Sequence, residues 1–299
     1  MILIFGGNGQ LGQELARAGA VRGLALVALG RAEADIADAG AVDRAFATHQ
    51  PKLIVNAAAY TKVDLAETEV EAARRSNETG PKLLAQACAE ARLPLIHIST
   101  DYVFDGTKPG AYLESDPVAP TGSYGRSKAA GEAAVRAANP RHLIIRTAWV
   151  YGEFGHNFLK TMLRLAATRD ELRIVADQRG CPTSTADLAD AILSIAPRLI
   201  AGAQVWGTYH FAGTGVTTWH GFASRIVAAQ APLTGRSPRV TPITTAEYPT
   251  AARRPANSAL DCEKFARAFG IRARAWEAET DRITRALVAA QGEKAAHVA

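Results

Sequence analysis

Short apolar runs alternate with amphipathic segments along the first half of the chain. The runs are rich in Ile, Leu and Val, and they predict strands at Ile2–Phe5, Leu24–Leu29, Leu53–Asn56, Leu95–Thr100 and His142–Thr147. The segments between them predict helices at Gln10–Ala18, Ala39–Thr48, Leu65–Ala91 (interrupted near Gly80-Pro81) and Gly122–Ala138. Apolar strands that alternate with helices indicate a doubly wound parallel sheet of the α/β class.

The pattern is less regular after Tyr151, where Gly, Pro and Thr interrupt it repeatedly. Clear helices are predicted at Thr185–Leu199 and Trp219–Ala229, with a weaker one near Ala275–Ala290. We therefore expect a smaller, irregular C-terminal α/β domain interleaved with the first. Residues 1–150 plus about 183–205 would form the first domain, and about 151–182 plus 206–299 the second.

Composition adds constraints on partners and location. The net charge of +5 comes from scattered residues, which favours anionic small molecules as ligands and not nucleic acid. The three cysteines, Cys88, Cys181 and Cys262, lie far apart, which argues against a disulfide framework or a zinc site and suits a reducing compartment. The sequence shows neither a signal peptide nor a membrane span, so we expect a cytoplasmic protein without a membrane partner.

A glycine-rich loop directly follows the first predicted strand and opens a helix. Its glycines, Gly6, Gly9 and Gly12, have the spacing that allows a tight turn, a close backbone approach and a close contact between helix and sheet. Free N–H groups at the start of such a helix can bind a pyrophosphate. The loop predicts a Rossmann-type dinucleotide site.

The end of the second strand bears on the choice of cofactor. It carries Gly30-Arg31, with no acid that could bind an adenosine 2′-hydroxyl. Arg31 can pair with a 2′-phosphate, which favours NADPH, or can be a solvated surface residue. Asp35 can lie beside the adenine. After the third strand, the small residues of Ala57–Ala59 let the backbone pass close to a flat cofactor or simply pack in the core.

The sequence Tyr124-x-x-x-Lys128 places a phenol and an ammonium group on one face of a predicted helix. Seven tyrosines and eight lysines in 299 residues produce this spacing by chance in about one such chain in five, so its location matters more than the motif itself. A nearby lysine lowers the pKa of a tyrosine. The pair can therefore donate a proton to an alkoxide that forms on hydride transfer, and the location favours this over a surface pair.

The carboxyl end of the fourth strand offers a third polar group at the same edge of the sheet. Ser99 and Thr100 point to opposite faces, so one of the two reaches the substrate, and the pattern does not decide which. His97, inside the apolar strand, is interpreted as a core histidine. Asp101 and Tyr102 follow, where a loop can contact substrate.

Several separate runs resemble one family, in the same order along the chain. They are the glycine loop, Asn56–Ala59, Ser99–Phe104, Tyr124-x-x-x-Lys128, Arg146–Tyr151, Asn157–Leu163, Asp177–Thr183, Thr217–His220 and Arg254–Ser258. Together they resemble the extended short-chain dehydrogenase/reductases over nearly the whole chain. The later runs are similar to the members of that family that reduce a dTDP-linked 4-keto sugar.

This resemblance implies reduction of the C4 ketone of dTDP-4-dehydro-β-L-rhamnose to dTDP-L-rhamnose with NADPH, and it also admits NADH. It implies that Thr100, not Ser99, acts with Tyr124 and Lys128. It assigns the first domain to the dinucleotide and the second to the substrate. The implied cofactor contacts are Gly9, Gln10, Leu11, Asp35, Ile36, Ala59, Tyr60 and Thr61, and the implied substrate contacts are Thr100, Asp101 and Trp149.

The quaternary structure and the metal content are less well specified. Some members form Mg²⁺-linked dimers through surface glutamates. Glu14 is in a suitable position, but the second site holds Asp187 or no obvious ligand, so we expect no metal and either a monomer or a homodimer.

Two other functions fit the same fold. A relative of the family serves as a non-catalytic regulatory subunit, but such a subunit needs no acid–base pair, and this chain has Thr100, Tyr124 and Lys128. A nucleotide-sugar epimerase or dehydratase is the other alternative. Asp101-Tyr102 leaves it open, and the C-terminal runs disfavour it.

Overall fold

The computed structural model describes residues 1–296, and the side chains up to residue 290. Within this range twelve strands, β1 to β12 in chain order, are Ile2–Phe5, Leu26–Leu29, Leu53–Asn56, Leu95–Thr100, His142–Thr147, Val150–Tyr151, Glu171–Val175, Arg179–Gly180, Thr183–Ser184, Gly207–His210, Thr217–Thr218 and Arg239–Ile243. Ten α-helices in the same range, α1 to α10, are Gln10–Val21, Ala39–His49, Val70–Arg74, Gly80–Glu90, Ser123–Ala138, Phe158–Ala166, Thr185–Ile200, Trp219–Thr234, Glu263–Phe269 and Trp276–Ala296.

The central sheet of the described residues has six strands in the order β10-β5-β4-β3-β1-β2, and every neighbouring pair is parallel. The predicted doubly wound α/β fold is confirmed. Four of the five predicted strands have the predicted bounds, and β2 begins two residues late, at Leu26. The sequence missed β10, because this short edge strand, Gly-Thr-Tyr-His, lacks a continuous apolar run.

Alternation along each strand builds one core on either face of the sheet. Ile2 and Ile4 pack towards α1 and α7, whereas Leu3 and Phe5 pack towards α2 and α4. Because both faces are covered, the strands are buried along their length. The polar groups at the carboxyl ends of the strands therefore collect at one edge of the sheet.

The predicted helix over 65–91 is three helical segments after a 3₁₀ turn. The 3₁₀ turn at Leu65–Glu67 is followed by α3, a five-residue π-helix at Arg75–Thr79, and α4. The interruption was expected near Gly80-Pro81, but the irregular segment lies just before it. Pro81 instead lies in the first turn of α4, which continues directly from the π-helix.

The C-terminal half has its own apolar cluster. Tyr151, Met162, Phe222 and Trp276 are among its buried members, contributed by β6, α6, α8 and α10. The division into two interleaved domains stays a prediction, and its boundary near residue 205 lies just before β10, which belongs to the central sheet. The helix predicted near Ala275–Ala290 is α10, which begins at Trp276 and continues to Ala296. None of the described helices is long and apolar enough to cross a membrane.

Candidate active site

A cleft of about 200 Å³ opens at the carboxyl ends of β1, β2 and β3. Six of the predicted cofactor residues line it, together with small neighbours from the same loops. The lining residues are Gly6, Asn8, Gly9, Arg31, Ala34, Asp35, Ile36, Ala57, Ala58, Ala59 and Ser76.

The glycine loop is shaped by close backbone contacts. Gly6 has a φ of +89°, and a Cβ there would lie 2.5 Å from the Ala58 backbone nitrogen. Gly12 packs against the backbone of Gly6 and Gly7 too closely for any side chain. Among the described residues no side chain caps the start of α1, so its first N–H groups remain available to an anion. The loop therefore fits a pyrophosphate.

The remaining predicted cofactor residues contact the protein in specific ways. The Leu11 side chain is buried in the core beneath the sheet, and the Gln10 carboxamide accepts a hydrogen bond from Asn157 at 3.0 Å. The backbone of Tyr60 forms two hydrogen bonds with the Asn77 side chain. Its N–H donates to the carboxamide oxygen, and its carbonyl oxygen accepts from the carboxamide nitrogen. Thr61 is exposed. These four and Gly12 are outside the cleft lining described above.

The structure separates the roles of the two hydroxyls at the end of β4. The Ser99 hydroxyl donates to Glu132 at 2.6 Å and points away from the site. The Thr100 hydroxyl donates to Asp101 at 2.9 Å and lies beside Tyr124. His97 is buried beside Asn56, at 3.1 Å, as expected for a core histidine.

Tyr124 lies in the first turn of α5, where its ring makes an edge-to-face contact with Tyr102 at 5.5 Å. Burial raises the pKa of Tyr124 above its usual range, and the nearby Thr100 hydroxyl acts in the opposite direction. The phenol is therefore protonated at neutral pH. A buried, protonated phenol can donate to an alkoxide that forms beside it.

Lys128 follows one helical turn later and is 2% exposed. Its ammonium group donates to the Ile98 carbonyl oxygen at 2.7 Å. Burial lowers the pKa of Lys128 to about 8, and the Glu132 carboxylate partly offsets this. The expectation that Lys128 lowers the pKa of Tyr124 is wrong for this structure, because burial dominates the pKa of both groups.

Two predicted substrate residues flank this centre. Asp101 is buried, and burial raises its pKa to about 6. Trp149 has a φ of +48°, which is unusual for a bulky residue, and its indole stacks on Trp219 at 3.6 Å. Gly180 packs against the same indole near its ring nitrogen, and a Cβ at Gly180 would overlap the ring. The Trp149 ring is therefore held in a defined orientation.

Sequence reasoning missed the residues that hold α5 against the sheet. The buried Asn77 side chain donates to the Ser127 hydroxyl at 3.0 Å and thereby joins α5 to the Tyr60 loop. Glu132 forms two hydrogen bonds with the buried Arg146, at 2.8 and 2.7 Å. The four-residue spacing of Tyr124, Lys128 and Glu132 places Glu132 on the same helix face and could have indicated it. Its partner Arg146, and Asn77, become neighbours of α5 only in the folded structure.

Replacing Gly125 with alanine is expected to destabilise the fold and to displace Tyr124. The added Cβ would overlap the Tyr102 carbonyl oxygen and lie 3.0 Å from Pro120. Overpacking costs about 1–3 kcal/mol, which exceeds the ~1 kcal/mol that alanine gains over glycine in a helix. Urea unfolding measures the change. Gly110→Ala is the matched control, since a Cβ there meets nothing within 4 Å, and equal stability of the two variants would contradict the prediction.

The residues considered for an Mg²⁺ site take part in ion pairs. Glu14 pairs with Arg17 and accepts a hydrogen bond from Thr185, while Asp187 pairs with Arg274 at 2.5 Å. In the described part of the chain, no three His, Cys, Asp or Glu side chains converge as metal ligands.

The chain was compared with known proteins. Residues 1–288 match the family described as the RmlD substrate binding domain. A dTDP-4-dehydrorhamnose reductase from Sinorhizobium fredii is 46% identical over 96% of this chain and 97% of its own.

Two solved structures are similar along almost their whole length. A dTDP-4-dehydrorhamnose reductase from Clostridium acetobutylicum is 38% identical with a TM-score of 0.89, covering 96% of this chain and 99% of its own. The enzyme of the same name from Bacillus anthracis, solved in complex with NADP, is 36% identical with a TM-score of 0.86, covering 94% and 97%. These findings confirm the resemblance to reductases of a dTDP-linked 4-keto sugar, and the chain belongs to the RmlD substrate binding domain family.

Proposed function

We propose that the chain reduces the C4 ketone of dTDP-4-dehydro-β-L-rhamnose to dTDP-L-rhamnose with NADPH, and accepts NADH as an alternative. The observation that carries this proposal is the set of Thr100, Tyr124 and Lys128, buried together at the carboxyl edge of the sheet. The relatives named as reductases of this substrate, one of them bound to NADP, supply the substrate and the cofactor.

The residues of the site divide the chemistry between them. When bound, the reduced nicotinamide supplies the hydride that adds to C4 of the sugar. Tyr124 donates its phenol proton to the oxygen that carries the resulting negative charge, because burial keeps this phenol protonated. Thr100 lies beside the phenol and would contact the same sugar oxygen, and Lys128, whose ammonium group donates to the Ile98 carbonyl oxygen, would hold the ribose of the nicotinamide.

The cofactor would be held along the edge of the sheet from β2 to β4. Gly6, Gly9 and Gly12 leave room for the pyrophosphate, and the backbone N–H groups of Gln10 and Leu11 bind it at the start of α1. Arg31, Asp35 and Ile36 contact the adenosine, and Ala59, Tyr60 and Thr61 continue towards the nicotinamide. Tyr124 and Lys128 contact its ribose.

The sugar nucleotide would lie between this edge and the C-terminal half. Thr100 and Asp101 bind the sugar at its reacting end. Trp149 packs a flat face against the deoxysugar, and its stack with Trp219 and the contact with Gly180 keep that face in place. This arrangement agrees with the proposed division into a dinucleotide domain, residues 1–150 plus about 183–205, and a substrate domain.

Turnover of dTDP-4-dehydrorhamnose with NADPH tests the proposal. We expect one NADPH oxidised per dTDP-L-rhamnose formed, followed by nicotinamide absorbance and by chromatography of the product. A regulatory subunit would bind nucleotide without turnover. An epimerase or dehydratase would convert a dTDP-sugar with no net loss of NADPH, and either outcome would overturn the proposal.

The cysteines bear on the location of the protein. All three cysteines, which lie in the described part of the chain, are free thiols, and this suits the reducing cytoplasm. We propose a cytoplasmic monomer or homodimer, which sedimentation analysis would distinguish.

A further inference from the structure

Two arginines from different elements meet over one carboxylate at the adenosine end of the cleft. Asp35, which lines the cleft, accepts hydrogen bonds through the same oxygen from Arg75 at 2.7 Å and from Arg31 at 3.4 Å. Arg31 follows β2, whereas Arg75 begins the π-helix. Their side chains are 72% and 46% exposed, so both guanidinium groups can reach a ligand.

The carboxylates of this loop are already engaged. The second oxygen of Asp35 accepts from the Ala37 amide at 3.0 Å. Glu33, the other acid near the end of β2, accepts from the Gly30 amide at 2.6 Å. An NADH-binding site of this fold needs a free acid to accept the adenosine 2′-hydroxyl. Asp35, the acid that lines the cleft, accepts hydrogen bonds through both of its oxygens, two of them from guanidinium groups, and Glu33 is not among the residues that line the cleft.

We propose that Arg75 and Arg31 together bind the 2′-phosphate of the adenosine ribose, with Asp35 holding the Arg75 side chain beside that position. This inference rests on the proposed dinucleotide site and assigns its cofactor selectivity to a second, previously unassigned arginine. Guanidinium groups suit the task because they donate paired, charge-assisted hydrogen bonds to phosphate oxygens. The cofactor preference then depends on the π-helix as well as on the loop after β2.

Binding of two nucleotide fragments tests the inference without turnover. Adenosine 2′,5′-bisphosphate carries the 2′-phosphate, and AMP lacks it. We expect calorimetry to show that the wild-type protein binds the bisphosphate at least roughly tenfold more tightly than AMP. Arg75→Gln should remove most of this preference and leave the affinity for AMP unchanged, and Arg31→Gln should act in the same direction.

Arg74→Gln is the matched control. Arg74 precedes Arg75, loses the same charge on substitution, and pairs instead with Glu78 at 3.0 Å on the exposed surface. We expect it to keep the wild-type preference, which excludes a general effect of net charge. Thermal melts of the variants establish that they are folded.

The outcomes separate the two proposals. A wild-type protein that binds both fragments equally, or an Arg75→Gln variant that keeps the full preference, overturns the role of Arg75 and leaves the dinucleotide site in place. Failure of the wild-type protein to bind either fragment overturns the dinucleotide site itself and this inference with it.

Discussion

The Tyr124→Phe variant is expected to reduce dTDP-4-dehydrorhamnose roughly a hundredfold to ten-thousandfold more slowly than the wild type, the usual contribution of general acid catalysis. Phenylalanine keeps the aromatic ring in its contact with Tyr102 and removes only the hydroxyl. The alkoxide oxygen then lacks the Tyr124 hydroxyl, which is its proposed proton donor. The loss should appear in kcat as well as in kcat/KM, because the proton is needed in the transition state.

Tyr209→Phe provides the control for this prediction. Tyr209 lies in β10, at the opposite edge of the sheet from β2, and is also buried. Its hydroxyl donates to the Val205 carbonyl oxygen at 3.1 Å. We expect this variant to keep wild-type turnover. Equal rates for Tyr124→Phe and wild type would show that another group supplies the proton.

The Arg146→Met variant is expected to lower the free energy of unfolding by about 3 kcal/mol. Arg146 is 2% exposed and Glu132 is completely buried, so the substitution leaves a buried carboxylate without its main partner. Ser99 at 2.6 Å and Arg136 at 3.1 Å remain. Arg146 also lies 5.0 Å from the centre of the Phe104 ring, and that contact is lost too. Urea unfolding measures the change.

A double-mutant cycle separates the ion pair from the volume change. Glu132→Gln should also be destabilising, because it leaves the Arg146 charge buried. The double variant should cost less than the sum of the single variants by about 1–3 kcal/mol. Arg136→Gln, which removes the half-exposed partner, should cost no more than about 1 kcal/mol. Strict additivity of the two single variants would contradict the proposed coupling.

This ion pair has a consequence for the site as well as for stability. Ser99 precedes Thr100 on β4, Glu132 lies one turn after Lys128 on α5, and Arg146 lies on β5. One carboxylate therefore joins β4 and α5, which carry the proposed catalytic groups, to β5. We expect the Arg146→Met variant to lose turnover also under conditions in which it is folded.

The strands and the cofactor loop could be predicted because their signals are local. A buried parallel strand must be apolar throughout, and the loop must use glycine at Gly6, where φ is positive and a Cβ would lie 2.5 Å from the Ala58 backbone nitrogen. The alternation of strands and helices then sets the order in which side chains reach the carboxyl edge. The edge strand β10 and the π-helix at Arg75–Thr79 have no comparable local signal, and both were missed.

The sequence by itself determined the fold class, the glycine loop and the spacing that puts Tyr124 and Lys128 on one helix face, since each depends on neighbours a few residues apart. Only the tertiary structure distinguishes the surroundings of Ser99 and Thr100, because Glu132 reaches Ser99 from α5 and leaves Thr100 as the proposed substrate contact. Burial, which raises the pKa of Tyr124 and lowers that of Lys128, likewise depends on residues distant in the chain. The meeting of Arg31 and Arg75 at Asp35 has the same origin: Arg75 lies 40 positions after Asp35, and the two become neighbours only when the start of the π-helix reaches the loop after β2.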